Sequence, residues 1–283
     1  MADIDGLRQR DLVSSDIPAA LALSDAAGWN QTEADWSLFI THGRTVGLFA
    51  PGETLIATAA ALPYDGGFGW ISMVIVADAW RRRGLARRLM NDCVETLRNQ
   101  GCAALLDATP AGAEVYSRIG FAALSGMERW EGDGGSPVAA DVARGVEVRR
   151  LAASEAERLV AADDTVFGAS RHFLLADFLA RPDTVALAVD ESYLVMRRGR
   201  RALQLGPLIA GSTDAARALL AAAIATSTGL IFLDLLEGRN ALGALLENCG
   251  FRRQRAFRRM ARGRAELPGD PARLVIAAGP EFG

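Results

Sequence analysis

Hydrophobic periodicity divides the first half of the chain into strand-like and helix-like segments. Three apolar runs separated by PGE and DGG turns predict strands at residues 44–50, 54–64 and 68–76. Apolar side chains then recur at helical spacing from Ala86 to Leu97, which predicts an amphipathic helix ended by Gly101. The segments that follow predict a buried strand, a short helix and a further strand: residues 102–107, 111–119 and onward from Gly120-Phe121.

Two helices are predicted before these strands. Pro18 follows Asp16 and precedes an Ala/Leu-rich run that Gly28 ends, a pattern typical of a helix with an N-terminal proline and a C-terminal glycine. Thr32 and Asp35 have the spacing of a capping box, so a second short helix should begin there.

The second half repeats this plan. Its predicted order is strand, two helices, three strands, helix, strand and helix: residues 146–151, from 154, 171–180, 184–189, 192–198, 202–210, 214–224, 230–236 and 241–249. The Gly120-Phe121 pair recurs 130 residues later as Gly250-Phe251. At that offset the last helix, strand and helix of the two halves coincide, which indicates an internal duplication.

A Gly/Ser/Pro/Ala-rich segment, residues 131–145, is typical of a linker between the halves. A chain of 283 residues is also longer than the usual single domain. We therefore predict domains at residues 1–130 and 146–283, the second with a C-terminal tail.

The composition narrows the classes of protein to which this chain could belong. No stretch reaches the ~20 apolar residues that a membrane span needs, and the polar N-terminus resembles neither a secretory signal nor a transit peptide. Three scattered cysteines predict reduced core residues in a cytoplasmic protein, and no His/Cys/Asp cluster has metal-ligand spacing. All basic residues are arginine, which with abundant Ala and Gly suggests a GC-rich bacterial genome.

Five arginines crowd the predicted start of the amphipathic helix: Arg81, Arg82, Arg83, Arg87 and Arg88. The first turn of a helix already carries positive charge, so each exposed arginine there costs roughly 0.3–1 kcal/mol. A phosphate-bearing ligand held by main-chain amides near Gly84 and Ala86 would account for the cluster. The alternative is a solvated basic face on which the arginine stems cover apolar surface. The spacing alone does not distinguish these two explanations.

A strand, then Arg81-x-x-Gly84-x-Ala86, then a helix and, about thirty residues later, Tyr116-x-x-x-Gly120-Phe121 resembles the GNAT acetyltransferase superfamily. The resemblance covers residues 1 to about 130, and further segments resemble a bacterial subgroup with two tandem GNAT folds. It implies an α+β fold in which each half has a mixed, mostly antiparallel sheet flanked by helices.

The resemblance also implies a site for acetyl-CoA. The pantetheine would pair with the strand at Val74–Val76, and the arginine-rich turn would bind the pyrophosphate, so the implied contacts are Val74, Val76, Arg81, Arg82, Arg83, Gly84, Leu85, Ala86 and Arg87. Tyr116 would protonate the departing thiolate, unless it is a core aromatic of an amphipathic helix. Thr109 departs from the pattern, since many relatives carry asparagine there.

The sequence says less about the residues that bind the acceptor. Trp29, Asn30, Gln31 and Asp35 form an amphipathic set that either binds a polar small molecule or caps and packs the neighbouring helices. Asp107, at the end of its strand, is either the base that deprotonates an amine or the cap of the next helix.

In the second half the motif positions carry other residues. Arg81, Gly84 and Tyr116 align with Gly211, Asp214 and Leu246. A carboxylate at position 214 would repel a pyrophosphate, and Ser212 or Thr213 is a better N-cap. We therefore expect one active first half and a degenerate second half, which shapes the acceptor pocket or only packs.

The preferred reading is an N-acetyltransferase that moves an acetyl group from acetyl-CoA to an amine of a small molecule. A non-catalytic CoA-binding or sensory module is the alternative. A nucleic-acid binder is disfavoured by the net charge of −3 and by arginines without interleaved aromatic residues. We predict no metal and no membrane partner, and the sequence does not determine the oligomeric state.

Overall fold

A computed structural model describes residues 6–136, 145–152 and 155–283. The strands are β1 (Arg8–Asp11), β2 (Arg44–Ala50), β3 (Thr54–Tyr64), β4 (Phe68–Val76), β5 (Ala103–Ala108), β6 (Ala122–Asp133), β7 (Arg149–Arg150), β8 (Val185–Val189), β9 (Ser192–Arg198), β10 (Leu203–Ile209), β11 (Leu230–Leu236), β12 (Arg252–Arg262) and β13 (Leu274–Ile276). The helices are α1 (Ile17–Ala26), α2 (Glu33–His42), α3 (Leu85–Asn99), α4 (Pro110–Ser117), α5 (Ala156–Phe167), α6 (His172–Ala180), α7 (Thr213–Thr226) and α8 (Asn240–Asn248).

The thirteen strands of the described residues form one sheet, in the order β1-β2-β3-β4-β5-β12-β6-β11-β13-β10-β9-β8-β7. The pairs β4–β5 and β10–β11 are parallel, and the other pairs are antiparallel. The predicted fold class, a mixed and mostly antiparallel sheet with flanking helices, is confirmed. The capping box of α2 is also present, since Thr32 and Asp35 bond each other's main chain.

The two halves exchange strands at the centre of the sheet. Strand β12 of the second half lies between β5 and β6 of the first, and β6 pairs with β11 from Met127↔Leu236 to Asp133↔Leu230. The predicted boundaries therefore need correction, because residues 131–133 of the proposed linker belong to β6. Residues 137–144 of that linker lie outside the described part of the chain.

Strands β4 and β5 separate soon after they meet. Their parallel pairing covers only Phe68–Trp70 with Ala103–Leu105, although β4 continues to Val76 and β5 to Ala108. A register shift between β3 and β4, with Met73 at φ 52°, bends β4 beyond this point. The divergence opens a gap in the sheet of the first half.

The corresponding gap in the second half is filled by the chain itself. Strands β10 and β11 pair in parallel over Leu203–Leu205 and Ile231–Leu233 and then separate. Strand β13 enters the space between them, and Ile276 is paired with β10 on one side and β11 on the other. The duplicated fold therefore has one open gap and one that its own C-terminal segment closes.

A fully buried ion pair joins α5 to the residue that precedes α6. The Arg171 guanidinium donates to both oxygens of Asp163 at 2.6 and 2.9 Å, and both side chains are fully buried. Tyr193 donates its hydroxyl to the same carboxylate, and Arg171 also donates to the Gly283 main-chain oxygen at 3.0 Å.

Arg171→Ala should lower the free energy of unfolding by ~3–5 kcal/mol, because it leaves the Asp163 charge buried without its partner. Urea unfolding measures this loss. Arg158→Ala is the matched control, since its pair with Glu191 spans 3.6 Å between exposed side chains and contributes at most ~1 kcal/mol. Equal losses in the two variants would contradict the assignment of the buried pair as the stronger one.

Candidate active site

A cleft enclosing about 750 Å³, part of it open to solvent, lies where β4 and β5 diverge. Ile71–Val74 of β4 and Leu106–Ala108 of β5 form two of its walls. The second half contributes Phe257 from β12 and the adjacent pair Pro280 and Glu281. The cleft is thus built by both halves of the duplication.

Tyr116 projects from α4 into this cleft and is half-buried. Its ring lies 6.2 Å from that of Phe121, at 54°. Burial raises the pKa of the Tyr116 hydroxyl to about 12, with a smaller contribution from Cys93. The phenol therefore keeps its proton throughout the neutral range, as a proton donor must.

Asp107 lies on the wall of the cleft and is bound by an arginine of the second half. Arg259 donates through Nε and Nη2 to the two carboxylate oxygens, each at 2.9 Å, and both side chains are buried. Burial raises the pKa of Asp107, and Arg259 opposes that rise. The alternative role as helix cap is wrong, because Thr109 caps α4 by accepting from the Gly112 amide at 3.2 Å.

The arginine-rich turn precedes an uncapped helix. Gly84 is the N-cap of α3 with φ +79°, and no side chain of the described residues bonds the first-turn amides of Leu85, Ala86 and Arg87. A Cβ placed on Gly84 would meet no atom of the described residues within 4 Å, and the first turn holds no acidic residue. Free amides, positive dipole and open space together suit an anionic ligand.

The arginines of this turn have different surroundings. Arg81 donates from Nε to the Val76 carbonyl at 3.0 Å and pairs with Asp78 at 2.7 Å, which ties the turn to the end of β4. Arg83 donates to the Ala79 carbonyl. Within the described part of the chain, the exposed guanidinium groups of Arg82 and Arg87 form no ion pair, so they are available to a ligand.

Of the four residues predicted to bind the acceptor, two lie in the wall of the cleft. Trp29 is half-buried there, and Gln31 is buried with its Oε1 lacking a hydrogen-bond partner among the described residues. The Ser72 hydroxyl, on the β4 wall, also lacks a partner there. Such buried polar atoms are costly unless something satisfies them, and a bound substrate would do so.

Asn30 and Asp35 have structural roles instead, which corrects their predicted part in acceptor binding. The Asn30 Oδ1 accepts from the amides of Arg201 and Ala202 at 2.9 and 3.0 Å, in the turn before β10. Asp35 is fully buried in the capping box of α2 and accepts from Arg181 at 2.8 Å. Both side chains bind the halves together.

Several cleft residues were missed by the sequence reasoning. Phe257 and Arg255 come from β12, whose insertion into the other half's sheet leaves no local signal. Glu281 lies in a segment without periodicity, three residues from Ala278. The repeated Gly-Phe pair did mark the start of β12 and could have directed attention to it.

Two kinds of feature are absent from the described residues, 6–136, 145–152 and 155–283. No helix there is long and apolar enough to cross a membrane. No group of three or more His, Cys, Asp or Glu side chains there is arranged to hold a metal ion.

Comparison with known sequences matches each half separately. Residues 15–121 match the acetyltransferase (GNAT) family, and residues 159–275 match an acetyltransferase (GNAT) domain. The uncharacterized N-acetyltransferase YitH of Bacillus subtilis (strain 168) is 25% identical over 241 residues, which cover 83% of this chain and 84% of YitH.

Solved structures share the whole architecture. A protein from Pyrococcus horikoshii, provisionally named an acetyltransferase, aligns with TM-score 0.84 and 17% identity over 100% of this chain and 98% of its own. A tandem GNAT protein from the clavulanic acid biosynthesis pathway aligns with TM-score 0.63 and 13% identity over 90% of this chain and 98% of its own. At these identities the likeness establishes the fold alone.

Proposed function

This chain belongs to the GNAT acetyltransferase superfamily in both of its halves, and we propose that it transfers an acetyl group from acetyl-CoA to an amine of a small molecule in the cleft of its first half. The observation that carries the proposal is the open gap between β4 and β5 beside the uncapped start of α3. The matching gap between β10 and β11 is closed by β13.

The residues of the first half suit acetyl-CoA. Beyond Trp70 the edge of β4 that faces β5 has no strand partner among the described residues, so its main chain can pair with the amides of pantetheine. The amides of Leu85 and Ala86, the αL turn at Gly84 and the exposed guanidinium groups of Arg82 and Arg87 suit the pyrophosphate. Val74 and Val76 remain the proposed strand contacts.

Tyr116 would act on the leaving sulfur. A free thiol has a pKa of about 8.5, so full proton transfer from a phenol of pKa about 12 is uphill by roughly 5 kcal/mol. We therefore propose that the phenol donates a hydrogen bond to sulfur as the C–S bond breaks. The sulfur gains basicity as the C–S bond breaks, so proton transfer to it comes late in that step.

The test is release of free thiol from acetyl-CoA in the presence of primary amines, comprising polyamines, amino sugars and amino acids. A thiol reagent measures the rate, and mass spectrometry of the product must show one added acetyl group. Tight CoA binding with no amine-dependent release across the panel would favour the non-catalytic module instead.

One CoA should bind per 283-residue chain. In the second half Ser212 caps α7 by accepting from the Ala215 amide at 3.1 Å, Asp214 adds negative charge in the first turn, and β13 occupies the gap. Isothermal calorimetry with CoA should give a stoichiometry near one, and Asp214→Ala should not change it. Two bound CoA molecules would contradict the assignment of the second half as degenerate.

A further inference from the structure

The segment after β13 leaves the second half and enters the cleft of the first. Trp70 donates from Nε1 to the Pro280 carbonyl at 2.9 Å, and Tyr64 donates its hydroxyl to the Phe282 carbonyl at 2.9 Å. The Phe282 ring stacks on Phe39 with centroids 4.8 Å apart. These contacts fix the main chain on both sides of Glu281, whose side chain lines the cleft.

Two carboxylates line this cleft, and they differ in their freedom to accept a proton. Asp107 has both oxygens bound by Arg259 at 2.9 Å. Among the described residues, Glu281 is approached by one guanidinium, that of Arg197, at one oxygen and 3.4 Å, and by its own main-chain amide; it is 7% exposed. The Arg197 guanidinium donates a shorter bond to the Ala278 carbonyl, so its charge is shared with the main chain.

Resting on the proposed acetyl transfer, we propose that Glu281 is the base that takes the proton from the acceptor amine. The C-terminal segment thus supplies the first half with a catalytic residue that its own sequence lacks. Asp107, bound to Arg259, would hold the wall of the cleft in place.

Glu281 takes the first of the two protons that leave the acceptor nitrogen. An acceptor ammonium gives one proton to the Glu281 carboxylate and becomes a neutral amine. Its nitrogen attacks the thioester carbonyl carbon, so that a C–N bond forms and the C–S bond breaks. The second proton lost from nitrogen ends on the CoA sulfur, and Glu281 returns its proton to solvent. The products are the amide, CoA thiol and one free proton.

The surroundings of Glu281 favour this role. Burial is the main cause that raises the pKa of its carboxyl, Asp35 raises it further, and Arg197 and Arg129 oppose the rise. The charged and titratable groups that face it or share its cleft are Asp35 of α2, Tyr64 of β3, Asp107 of β5, Tyr116 of α4, Arg129 of β6, Arg197 of β9 and Arg255 of β12. A base with a raised pKa matches ammonium deprotonation near neutral pH better than a free glutamate does.

Glu281→Gln tests the proposal with acetyl-CoA and the panel amine that gives the fastest thiol release. Turnover near pH 7 should fall by ~100-fold or more, as expected for loss of a general base. The deficit should shrink as pH rises toward the amine's own pKa, because a free amine needs no base. Glu281→Asp should recover part of the rate, and CoA affinity by calorimetry should stay within a few-fold.

Glu266→Gln is the control, since it makes the same carboxyl-to-amide change at an exposed position of the same C-terminal region. A Glu281→Gln deficit that is constant with pH, or an unchanged rate in a variant that still binds CoA, overturns the role of Glu281 alone. Absence of amine-dependent turnover in the unmodified protein overturns the proposed function and this inference with it.

Discussion

Gly84→Glu should abolish CoA binding. The new carboxylate would stand at the start of α3, where a Cβ meets open space and the pyrophosphate is proposed to lie. Two unit charges 4 Å apart near a protein surface interact by ~4 kcal/mol, which corresponds to a loss of affinity of ~1000-fold. Isothermal calorimetry with CoA measures this loss directly.

Gly84→Ala separates charge from backbone strain. It shares the unfavourable φ of +79°, worth ~1–2 kcal/mol of stability, but adds no charge and fills only empty space. Its CoA affinity should change far less than that of Gly84→Glu. If binding survived Gly84→Glu and disappeared when residues 211–216 were altered, the active half would have been assigned wrongly.

Tyr116→Phe should lower turnover by ~10- to 1000-fold while CoA affinity hardly changes, because the ring is kept and only the donor to sulfur is lost. Steady-state thiol release at saturating acceptor gives the first quantity and calorimetry the second. Since the pKa of Tyr116 is about 12, its phenol stays protonated below roughly pH 11. It should therefore add no descending limb to the pH profile in that range.

Tyr193→Phe is the control for this change. It removes a buried phenol that donates to Asp163 outside the cleft, so it should lower stability without changing turnover per folded molecule. Unchanged turnover in Tyr116→Phe would mean that this tyrosine only packs against Phe121 and its neighbours.

Local patterns in the sequence predicted the elements well. The three strands that lead to the cleft, β2, β3 and β4, coincide with the predicted apolar runs, because each run is buried and bounded by turns. The start of α3 was also predicted, since glycine and an abrupt change of periodicity mark it. Only two residues of the predicted strand 146–151 are paired, as β7.

Contacts between residues far apart in the sequence could not be predicted in this way. Periodicity says that β12 is a strand but not that it lies beside β5, about 150 residues earlier. The polar residues Asn30 and Asp35 carry the same local pattern whether they bind a substrate or the other half of the chain. The sequence around Glu281 gave no indication that this residue lies in the cleft, because its position depends on how the C-terminal segment crosses the sheet.

The exchanged strand sets an order of events during synthesis. Strands β5 and β6 emerge first, yet the strand that belongs between them, β12, begins only at Arg252. At ~5–20 residues per second, the 118 residues that separate β6 from β12 take roughly 6–24 s to appear. During that time the edges of β5 and β6 that face β12 in the finished sheet lack this partner. We expect the nascent first half to close as a separate small sheet that must open again to admit β12, so a chaperone that protects strand edges should raise the yield of the full chain.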